Sequence, residues 1–446
     1  MIRILPAEET EEPAPVKTLE EQRLDTLRYG TETEIAALIQ TVKNEKNSDL
    51  DVELITLAES SKNRNILAGV FSFFAEMEKK GLEARAVRAI EERDDEAGET
   101  VLAAVDYLGK LKSAEAAPSL RELVDAGESR FTGAAIRALG RSASGGGKGS
   151  TLSDETAEYL EDYYTNRNPP DENRREIIGA LGETGSGKAV PFLSQKATNS
   201  EERVPLRMAA LEAIAKIADP RGLPAVIEAV SSEDPNLRSS AISALGPFSG
   251  EAVDKAILEG FRDSYYRTRI GASQAAGRRK LEAAIPYLRY RAERDDVPAV
   301  KDEAIRALGS IDSGESRDII ESLFKERKNS DRVRLLAVEM LVRNDGGAYV
   351  STLIVELDEA KRRNQTPLYN GFLRVLGTAR SSSLEDLARR FISSGGIIEK
   401  SLALDIAVNN EFRGLAEDIR TLLDEKKYNP SLVRKARTSL EKLGLE

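Results

Sequence analysis

The sequence has no histidine, no cysteine and no tryptophan among its 446 residues. Zinc sites normally need Cys or His ligands, so no metal site is expected. The lack of Cys excludes disulfides and thiol nucleophiles, and the lack of His removes the commonest general base near neutral pH. Only Asp, Glu, Lys, Tyr, Ser or Thr could carry a reaction. We therefore expect no enzyme activity and no cofactor.

Long hydrophobic runs are missing as well. No apolar stretch approaches the roughly 18 residues that a membrane-spanning helix needs, so no transmembrane span is expected. The net charge is -11. Nucleic acid is therefore not the expected partner, because a protein that binds it over its whole surface should be basic.

The first 16 residues are acidic and rich in proline, a composition that predicts a disordered tether over residues 1–16. The apolar part of this segment, Ile2 to Leu5, is far too short for the core of a signal peptide. We expect a cytoplasmic protein as the sequence stands. The alternative is a periplasmic or exported protein whose upstream signal peptide is missing.

One short pattern recurs along the chain. Ala-Ile-Arg-Ala-Leu-Gly stands intact at Ala135–Gly140 and again at Ala304–Gly309. Aligned copies end at Gly109, Gly140, Gly182, Ala215, Gly246, Gly277, Gly309, Val342, Gly377, Val408 and Glu441. All but one of the intervals between these ends are 31 to 35 residues, and the exception, 42 residues, predicts an insertion over residues 141–172. A fixed period of this length indicates a repeat architecture.

The columns of this alignment predict two helices in each repeat. Most copies have Ala five residues before the last position and Leu or Ile one residue before it, and positions four apart share a helix face. A recurring Ala on this buried face predicts close approach of another helix, and the final Gly predicts the left-handed residue that ends a helix. Nine residues later, four copies have a proline suited to the first turn of a helix: Pro118, Pro191, Pro224 and Pro286.

A two-helix repeat of about this length, with a basic residue followed by Ala-x-x-Ala-Leu-Gly, resembles the HEAT repeat family, and its short Gly-punctuated form resembles bacterial HEAT repeats of the phycobilin-lyase-like type. The resemblance implies an all-α fold, a right-handed α-α superhelix of about twelve helix pairs. It would cover residues 17–446, irregularly over 17–100 and regularly over 101–446. Most members of this armadillo-like class are scaffolds or adaptors that hold a partner along the inner face.

Some proteins that resemble this family are enzymes, but their motifs are absent. HEAT-like deoxyhypusine hydroxylases hold iron through His-Glu motifs and HEAT-like alkylpurine glycosylases use Trp with Asp, whereas this chain has neither His nor Trp. The segment Gly182–Ala189 (GETGSGKA) matches the first seven positions of a phosphate-binding P-loop. Its eighth residue, Ala189, lacks the hydroxyl that binds Mg²⁺, and it follows a predicted helix instead of a strand. We interpret it as a turn.

A basic column lies eight residues before the end of seven of the copies. Its members are Arg174, Arg207, Arg238, Arg269, Lys301, Arg334 and Lys400. They could form a positive ladder for an anionic partner. The favoured interpretation is structural, as in HEAT repeats, with each basic residue paired to an acid three to six residues upstream. The candidate acids are Asp171, Asp234, Asp263, Asp296 and Asp331.

A second column, three residues before the end of each copy, is polar and changes freely between repeats. It runs Asp106, Arg137, Gly179, Glu212, Ser243, Gln274, Arg306, Glu339, Arg374 and Asp405. These residues face either water or a partner. If partners bind the inner face, this column contributes to it.

The strongest local departure in charge lies between residues 262 and 294. This segment contains nine Lys or Arg against three acids, interleaved with four tyrosines. Arg and Tyr are enriched at interface hot spots, and a positive field speeds capture of acidic partners. We hypothesise a docking site for an acidic protein segment. Its candidate residues are Arg262, Tyr265, Tyr266, Arg267, Arg278, Arg279, Tyr290 and Arg291. The alternative is a set of long side chains on outer helices.

Together these features predict a non-catalytic scaffold or adaptor that binds a protein. One alternative is an accessory or lyase-like HEAT enzyme subunit using Asp, Glu or Lys. Another is a polyanion binder acting through residues 262–294. The insertion could also carry function, since its predicted helix near Asp154–Thr165 has three tyrosines.

Overall fold

The computed structural model describes residues 17–445, so the proposed tether at 1–16 lies outside the described residues. Within the described chain there are 26 α-helices and no β-strand, which form 13 successive pairs. The all-α prediction is confirmed, with one more pair than the dozen expected. The chain divides into two compact units, residues 1–225 and 226–446, at a point inside one helix.

The first unit contains twelve complete helices. They are α1 (Leu19–Tyr29), α2 (Glu32–Glu45), α3 (Asp51–Ser60), α4 (Arg64–Glu76), α5 (Glu83–Glu91), α6 (Gly98–Lys110), α7 (Ala117–Asp125), α8 (Ser129–Ser144), α9 (Thr151–Asn166), α10 (Asp171–Thr184), α11 (Val190–Thr198) and α12 (Val204–Ile217). In each pair the odd-numbered helix is the first helix and the even-numbered helix is the second.

The second unit begins within α13 and continues the same alternation to the C-terminus. Its helices are α13 (Leu223–Val230), α14 (Pro235–Ala244), α15 (Glu251–Gly260), α16 (Tyr266–Arg279), α17 (Ile285–Arg294), α18 (Pro298–Ile311), α19 (Gly314–Lys325), α20 (Asp331–Asn344), α21 (Gly346–Arg362), α22 (Thr366–Thr378), α23 (Leu384–Ser394), α24 (Ile397–Asn409), α25 (Ala416–Arg420) and α26 (Pro430–Leu443).

The four recurrent prolines lie where the sequence predicts them. Pro118, Pro191, Pro224 and Pro286 are the second residues of α7, α11, α13 and α17, each after a short 3₁₀ turn. Proline has no N–H to donate, and the first turn of a helix does not need one. This proline and its preceding turn therefore start a first helix in four of the pairs.

The recurrent glycine has a different role from the one predicted. Gly140 and Gly182 lie inside α8 and α10. A β-carbon added to Gly140 would lie 2.8 Å from the α-carbon of Ala180, and one added to Gly182 would lie 2.8 Å from that of Ala213. Each glycine thus lets its second helix approach the next second helix at backbone contact. The alanines it meets, Ala180 and Ala213, are almost fully buried.

The left-handed residue that ends these helices comes three positions later than predicted. It has a positive φ of 52° to 69° at Lys112, Gly185, Ala218, Lys280, Asp312, Glu411 and Gly444. Most of these residues are not glycine, although glycine adopts this conformation most easily. The glycine column is therefore explained by interhelical packing, and the prediction that it ends the helix is wrong.

Residues 141–172 contain no element outside the alternation. They comprise the end of α8, a Gly-rich turn, all of α9 and the connection to α10. α9 is the first helix of its pair, and at 16 residues it is longer than α7 or α11, with 9 each. The long helix and the turn before it account for the 42-residue spacing.

The P-loop-like segment is a turn between helices. Gly185 has φ +67° and ends α10, and a 3₁₀ turn spans Gly187–Ala189. The Lys188 ammonium lies 2.6 Å from Oε1 of Glu158, so its charge is already paired. These contacts support the interpretation from sequence.

The basic column binds the carboxyl ends of first helices. Arg207 Nε donates to the carbonyl of Ala197 (2.9 Å), Arg334 Nε to that of Phe324 (2.9 Å) and Lys301 Nζ to that of Glu293 (3.1 Å). The last carbonyls of a helix have no partner within it and carry the negative end of its dipole. These side chains therefore satisfy first-helix ends and tie them to the second helix. Lys400 makes an equivalent bond, whereas Arg238 and Arg269 donate to carbonyls of the connections that follow α13 and α15.

The carboxylate partners of this column differ from those predicted. Arg238 pairs with Asp263 (2.8 Å), Arg269 with Asp295 (2.8 Å) and Arg334 with Glu356 (2.6 Å), each acid belonging to the following pair. Among the predicted pairs only Arg174 with Asp171 is found, at 3.6 Å. Asp234 instead accepts the free N–H groups at the start of α14. The column thus links successive pairs.

We predict that Gly182→Ala lowers the free energy of unfolding by roughly 1–3 kcal/mol, because the new methyl group must displace the Ala213 backbone. The matched control is Gly179→Ala on the same helix, where an added β-carbon meets nothing within 4 Å. That control should gain about 0.5–1 kcal/mol from helix propensity. Urea denaturation of both variants measures the difference. Equal effects would contradict the packing role.

Candidate functional site

The candidate residues of the basic, tyrosine-rich segment 262–294 fall into three separate groups. Arg278 and Arg279 lie at the end of α16, where Arg278 donates to the carbonyl of Ser243 (3.2 Å) and Arg279 bonds Asp254 (2.5 Å). α16 has 14 residues, about 21 Å of helix, so these arginines are far from Arg267 at its start. They are engaged in contacts with neighbouring elements. The eight hypothesised residues do not form one surface.

The structure brings five other residues together around an open depression of about 390 Å³. It is lined by Arg262, Pro286, Tyr287, Tyr290 and Arg291. Arg262 follows α15, and the other four residues belong to α17. Three of the hypothesised residues therefore meet here, joined by Pro286 and Tyr287. We call this set the α17 depression.

The α17 depression is built by the spacing of residues along one helix. Positions three and four apart lie on one helix face, which places Pro286, Tyr287, Tyr290 and Arg291 side by side. The Tyr287 ring stacks on the buried ring of Phe261 with centroids 5.6 Å apart and an interplanar angle of 27°. Tyr290 has no such support and is 58% exposed. One aromatic ring is thus fixed, and the other is presented to solvent.

Both arginines of the depression lie over its aromatic rings. The guanidinium of Arg262 is 5.4 Å from the Tyr287 centroid, and that of Arg291 is 5.2 Å from the Tyr290 centroid. Such cation–π contacts attract a guanidinium to the face of an aromatic ring. Arg291 also donates to Oδ2 of Asp295 at 3.2 Å. The two positive charges are therefore held in position on an aromatic floor.

A buried ion pair, Arg269 with Asp295, adjoins the depression through Arg291. Arg269 is a member of the basic column. Asp295 has a fully buried side chain and binds Arg269 as well as Arg291. Burial would raise the pKa of Asp295, but hydrogen bonds from Arg269 and from the backbone N–H of Val297 hold it below its ordinary value. The Asp295 carboxylate, which orients Arg291, is thus held by Arg269 in the ion pair that links two successive helix pairs.

The remaining hypothesised residues lie at the start of α16. The hydroxyl of Tyr265 donates to Oδ1 of Asn236 (2.9 Å), and Nε of Arg267 donates to the hydroxyl of Tyr266 (3.2 Å). Tyr265 and Tyr266 pack edge to face. They do not line the depression, and Tyr265 ties α16 to α14.

Second helices carry two other depressions. One of about 510 Å³ is lined by Glu339, Val342, Arg343, Gly346, Val375, Thr378 and Arg380, and one of about 250 Å³ by Arg175, Glu176, Gly179, Ala209, Glu212, Ala213 and Lys216. Gly179, Glu212 and Glu339 belong to the variable polar column. That column therefore contributes to surface depressions within each unit, and charges of both signs line them.

An acid with a strongly lowered pKa lies outside the α17 depression. Glu399 is buried and accepts hydrogen bonds from Lys361, Tyr369 and the backbone N–H of Gly396. Burial alone would raise its pKa, but these donors lower it to about 2. Among residues 17–445 no group of three or more Asp or Glu side chains could hold a metal ion. In the same range, no helix combines the length and apolarity that spanning a membrane requires.

The carboxyl group of Glu161 on α9 is the acid closest to neutrality. Burial, with a smaller contribution from Glu158, raises its pKa to about 7. Its Oε1 atom is buried without a hydrogen-bond partner. Ionised Glu161 therefore destabilises the folded chain.

We predict that Glu161→Gln raises the free energy of unfolding at pH 8 by roughly 1–3 kcal/mol and leaves it unchanged at pH 4. The folded pKa is raised, so this cost is absent below the unfolded pKa near 4.5, grows as pH rises from there to about 7, and is constant at higher pH. Urea denaturation at both pH values measures it. Glu155→Gln, an exposed position on the same helix, is the control and should show no such pH dependence. A gain equal at both pH values would contradict the assignment.

Sequence comparison identifies a family for most of the chain. A family model described as "Spirochaete HEAT repeat protein" matches residues 27–439. No curated protein matches the chain. The predicted HEAT repeats are confirmed at this level, and the phycobilin-lyase-like subtype remains a prediction.

Solved structures support the fold. Yeast importin-β (Kap95p) matches with a TM-score of 0.52 at 12% identity, covering 95% of this chain and 67% of that one. The karyopherin Kap121p bound to Pho4p matches with a TM-score of 0.45 at 13% identity, covering 94% and 53%. The chain thus spans about half the length of that karyopherin. Human deoxyhypusine hydroxylase reaches a TM-score of only 0.27 at 18% identity, covering 67% and 99%. At these identities the similarity to importin-β establishes the helical-repeat fold alone.

Proposed function

Because the chain belongs to the spirochaete HEAT repeat protein family, we propose that it is a non-catalytic scaffold that binds a protein partner. The observation that carries this proposal is the α17 depression. It offers an exposed Tyr290 ring beside two positioned arginines. Large aromatic residues and arginines dominate the energetics of protein interfaces.

The chemistry of the depression favours an acidic segment of the partner. The guanidinium groups of Arg262 and Arg291 lie at its edge, and Arg294 makes no ion pair with any described residue. Carboxylates bind arginine through charge-assisted hydrogen bonds, often with both oxygens. The aromatic floor adds apolar contact area that a simple ion-exchange surface would lack. A peptide with Asp or Glu beside an apolar residue fits both features.

The repeat stack supplies a rigid support for this site. Tyr287 rests on buried Phe261, and Arg291 is oriented by buried Asp295. A preorganised site loses less conformational entropy when it binds. Second-helix depressions lined by the variable polar column offer further contact area, in keeping with a scaffold that holds its partner along more than one helix.

Two other functions remain as alternatives. An enzyme subunit would need Asp, Glu or Lys in a reactive arrangement, and the perturbed acids Glu161 and Glu399 lie on separate helices. A polyanion binder would use the basic segment as one surface. Arg278 and Arg279 instead contact Ser243 and Asp254 and do not line the depression. Protein binding is therefore the better-supported function.

We predict that Tyr290→Ala abolishes capture of a specific partner without affecting the fold. Partners retained from a spirochaete lysate are compared by quantitative mass spectrometry. An interface hot spot is typically worth at least 2 kcal/mol, so recovery of that partner should fall by roughly tenfold or more.

The matched control is Tyr29→Ala, since Tyr29 is 81% exposed and lies on α1 in the other unit. It should leave capture unchanged. Identical retained proteins for the unsubstituted chain and the Tyr290→Ala variant would contradict the proposal. Retention of nucleic acid instead, lost steeply with added salt, would favour the polyanion alternative.

A further inference from the structure

We propose that two exposed isoleucines at the start of α24 bind the surface of an anionic lipid bilayer. They are Ile397 and Ile398, which are 60% and 68% exposed. Eight large hydrophobic side chains are exposed among residues 17–445, and only these two are adjacent in sequence. Single exposed apolar residues are ordinary, whereas a cluster marks a contact surface. We call Ile397 and Ile398 the α24 tip. The inference is independent of the α17 depression.

The turn that carries the α24 tip is held by buried contacts. Gly395 and Gly396 connect α23 to α24, directly before the tip. The buried carboxylate of Glu399 accepts hydrogen bonds from the backbone N–H of Gly396 and from the hydroxyl of Tyr369. It also lies 2.6 Å from Nζ of Lys361. The turn is therefore ordered with both isoleucines exposed, so little of its conformational freedom remains to be lost on binding.

Basic residues at the end of α21 lie next to the tip. Lys361 is bonded to Glu399, which follows the tip directly. Arg362 and Arg363 come next along the chain, and each side chain is more than half exposed. Glu359 pairs with both, so two guanidinium groups share one carboxylate. Exposed ion pairs of this kind are worth little, so lipid phosphates can replace the carboxylate.

A second basic group reaches the tip from the connection before α26. Nζ of Lys400 lies 5.7 Å from the ring centroid of Tyr428, and Nζ of Lys427 lies 5.3 Å from it. Residues 359–363 and 424–428 together carry five basic and three acidic side chains, in a chain whose net charge is -11. Lysine, arginine and tyrosine suit the boundary between lipid and water, because their apolar parts contact lipid while their polar ends stay hydrated.

This combination fits a bilayer better than a protein surface. A fluid bilayer surrounds an inserted side chain, so both isoleucines lose their remaining exposed area there, whereas a rigid partner would need a matching pocket. The acidic remainder of the chain opposes this binding only weakly, because charges beyond about 8 Å are largely screened at physiological ionic strength. Two isoleucines bury less apolar area than a myristoyl chain. Binding should therefore be weak and reversible, with a constant on the order of 10⁴ M⁻¹.

Co-sedimentation of the full chain with vesicles tests this inference. We expect binding to vesicles of phosphatidylcholine and phosphatidylserine, and much weaker binding to phosphatidylcholine alone. Binding should fall as the Debye length shrinks from about 10 Å at 0.1 M salt to about 3 Å at 1 M. The double variant Ile397→Ser/Ile398→Ser should lower the binding constant by roughly tenfold or more, because the apolar contact is lost. The matched control, Val52→Ser/Val355→Ser, removes two isolated exposed side chains and should bind as the unsubstituted chain does.

Insertion itself is measured by fluorescence. Because the chain has no cysteine, Ile397→Cys carries a single nitrobenzoxadiazole label, whose emission should shift to the blue when the phosphatidylserine vesicles are added. The same label at Val355→Cys should not respond. Absence of binding, equal binding to both kinds of vesicle, or unchanged binding by Ile397→Ser/Ile398→Ser would overturn the inference. A protein retained from a lysate through the α24 tip, without any vesicle binding, would assign the tip to a protein interface instead.

Discussion

The close contact between successive second helices is the constraint on which the rest of the structure depends. Glycines inside α8 and α10 meet the backbone of buried alanines on α10 and α12, at distances that exclude even a methyl group. Close-packed interiors tolerate little added volume. This contact fixes the spacing of these neighbouring pairs, and residues of the basic column join the ends of several first helices to their second helices. Surface residues are free to vary because the stacking does not use them.

Buried contacts hold the helix pairs together, so a binding site can form from the exposed residues that these contacts position. Arg269 and Asp295 belong to the links between pairs, yet the same Asp295 orients Arg291 at the surface. A structural contact that recurs between repeats thereby positions a residue of the α17 depression. The exposed Tyr290 above it contributes nothing to the stack, and the proposed function gives it a role.

Sequence alone predicted the repeat, its two helices and the prolines that start them, because helical periodicity and turn chemistry are local. It misassigned the glycine, since the true left-handed positions are occupied by residues such as Lys280 and Asp312 that give no glycine signal. It also assigned the wrong carboxylates, because Asp295 meets Arg269 only after two pairs have stacked. The candidate site was predicted in part: charge composition pointed to residues 262–294, but only helix geometry separates Arg278 from Tyr290. The sequence did contain a signal for the depression: Tyr287 and Pro286 lie three and four residues before Tyr290, which predicts that all three share one helix face.

Native-state hydrogen exchange tests the central claim, that the stack is held through its second helices, most directly. Amide groups in the most stable parts of a fold exchange only on global unfolding. In the first unit, the account predicts slower exchange for α8, α10 and α12 than for α7, α9 and α11, which contact fewer neighbours closely. Equal protection, or slower exchange in the first helices, would contradict it.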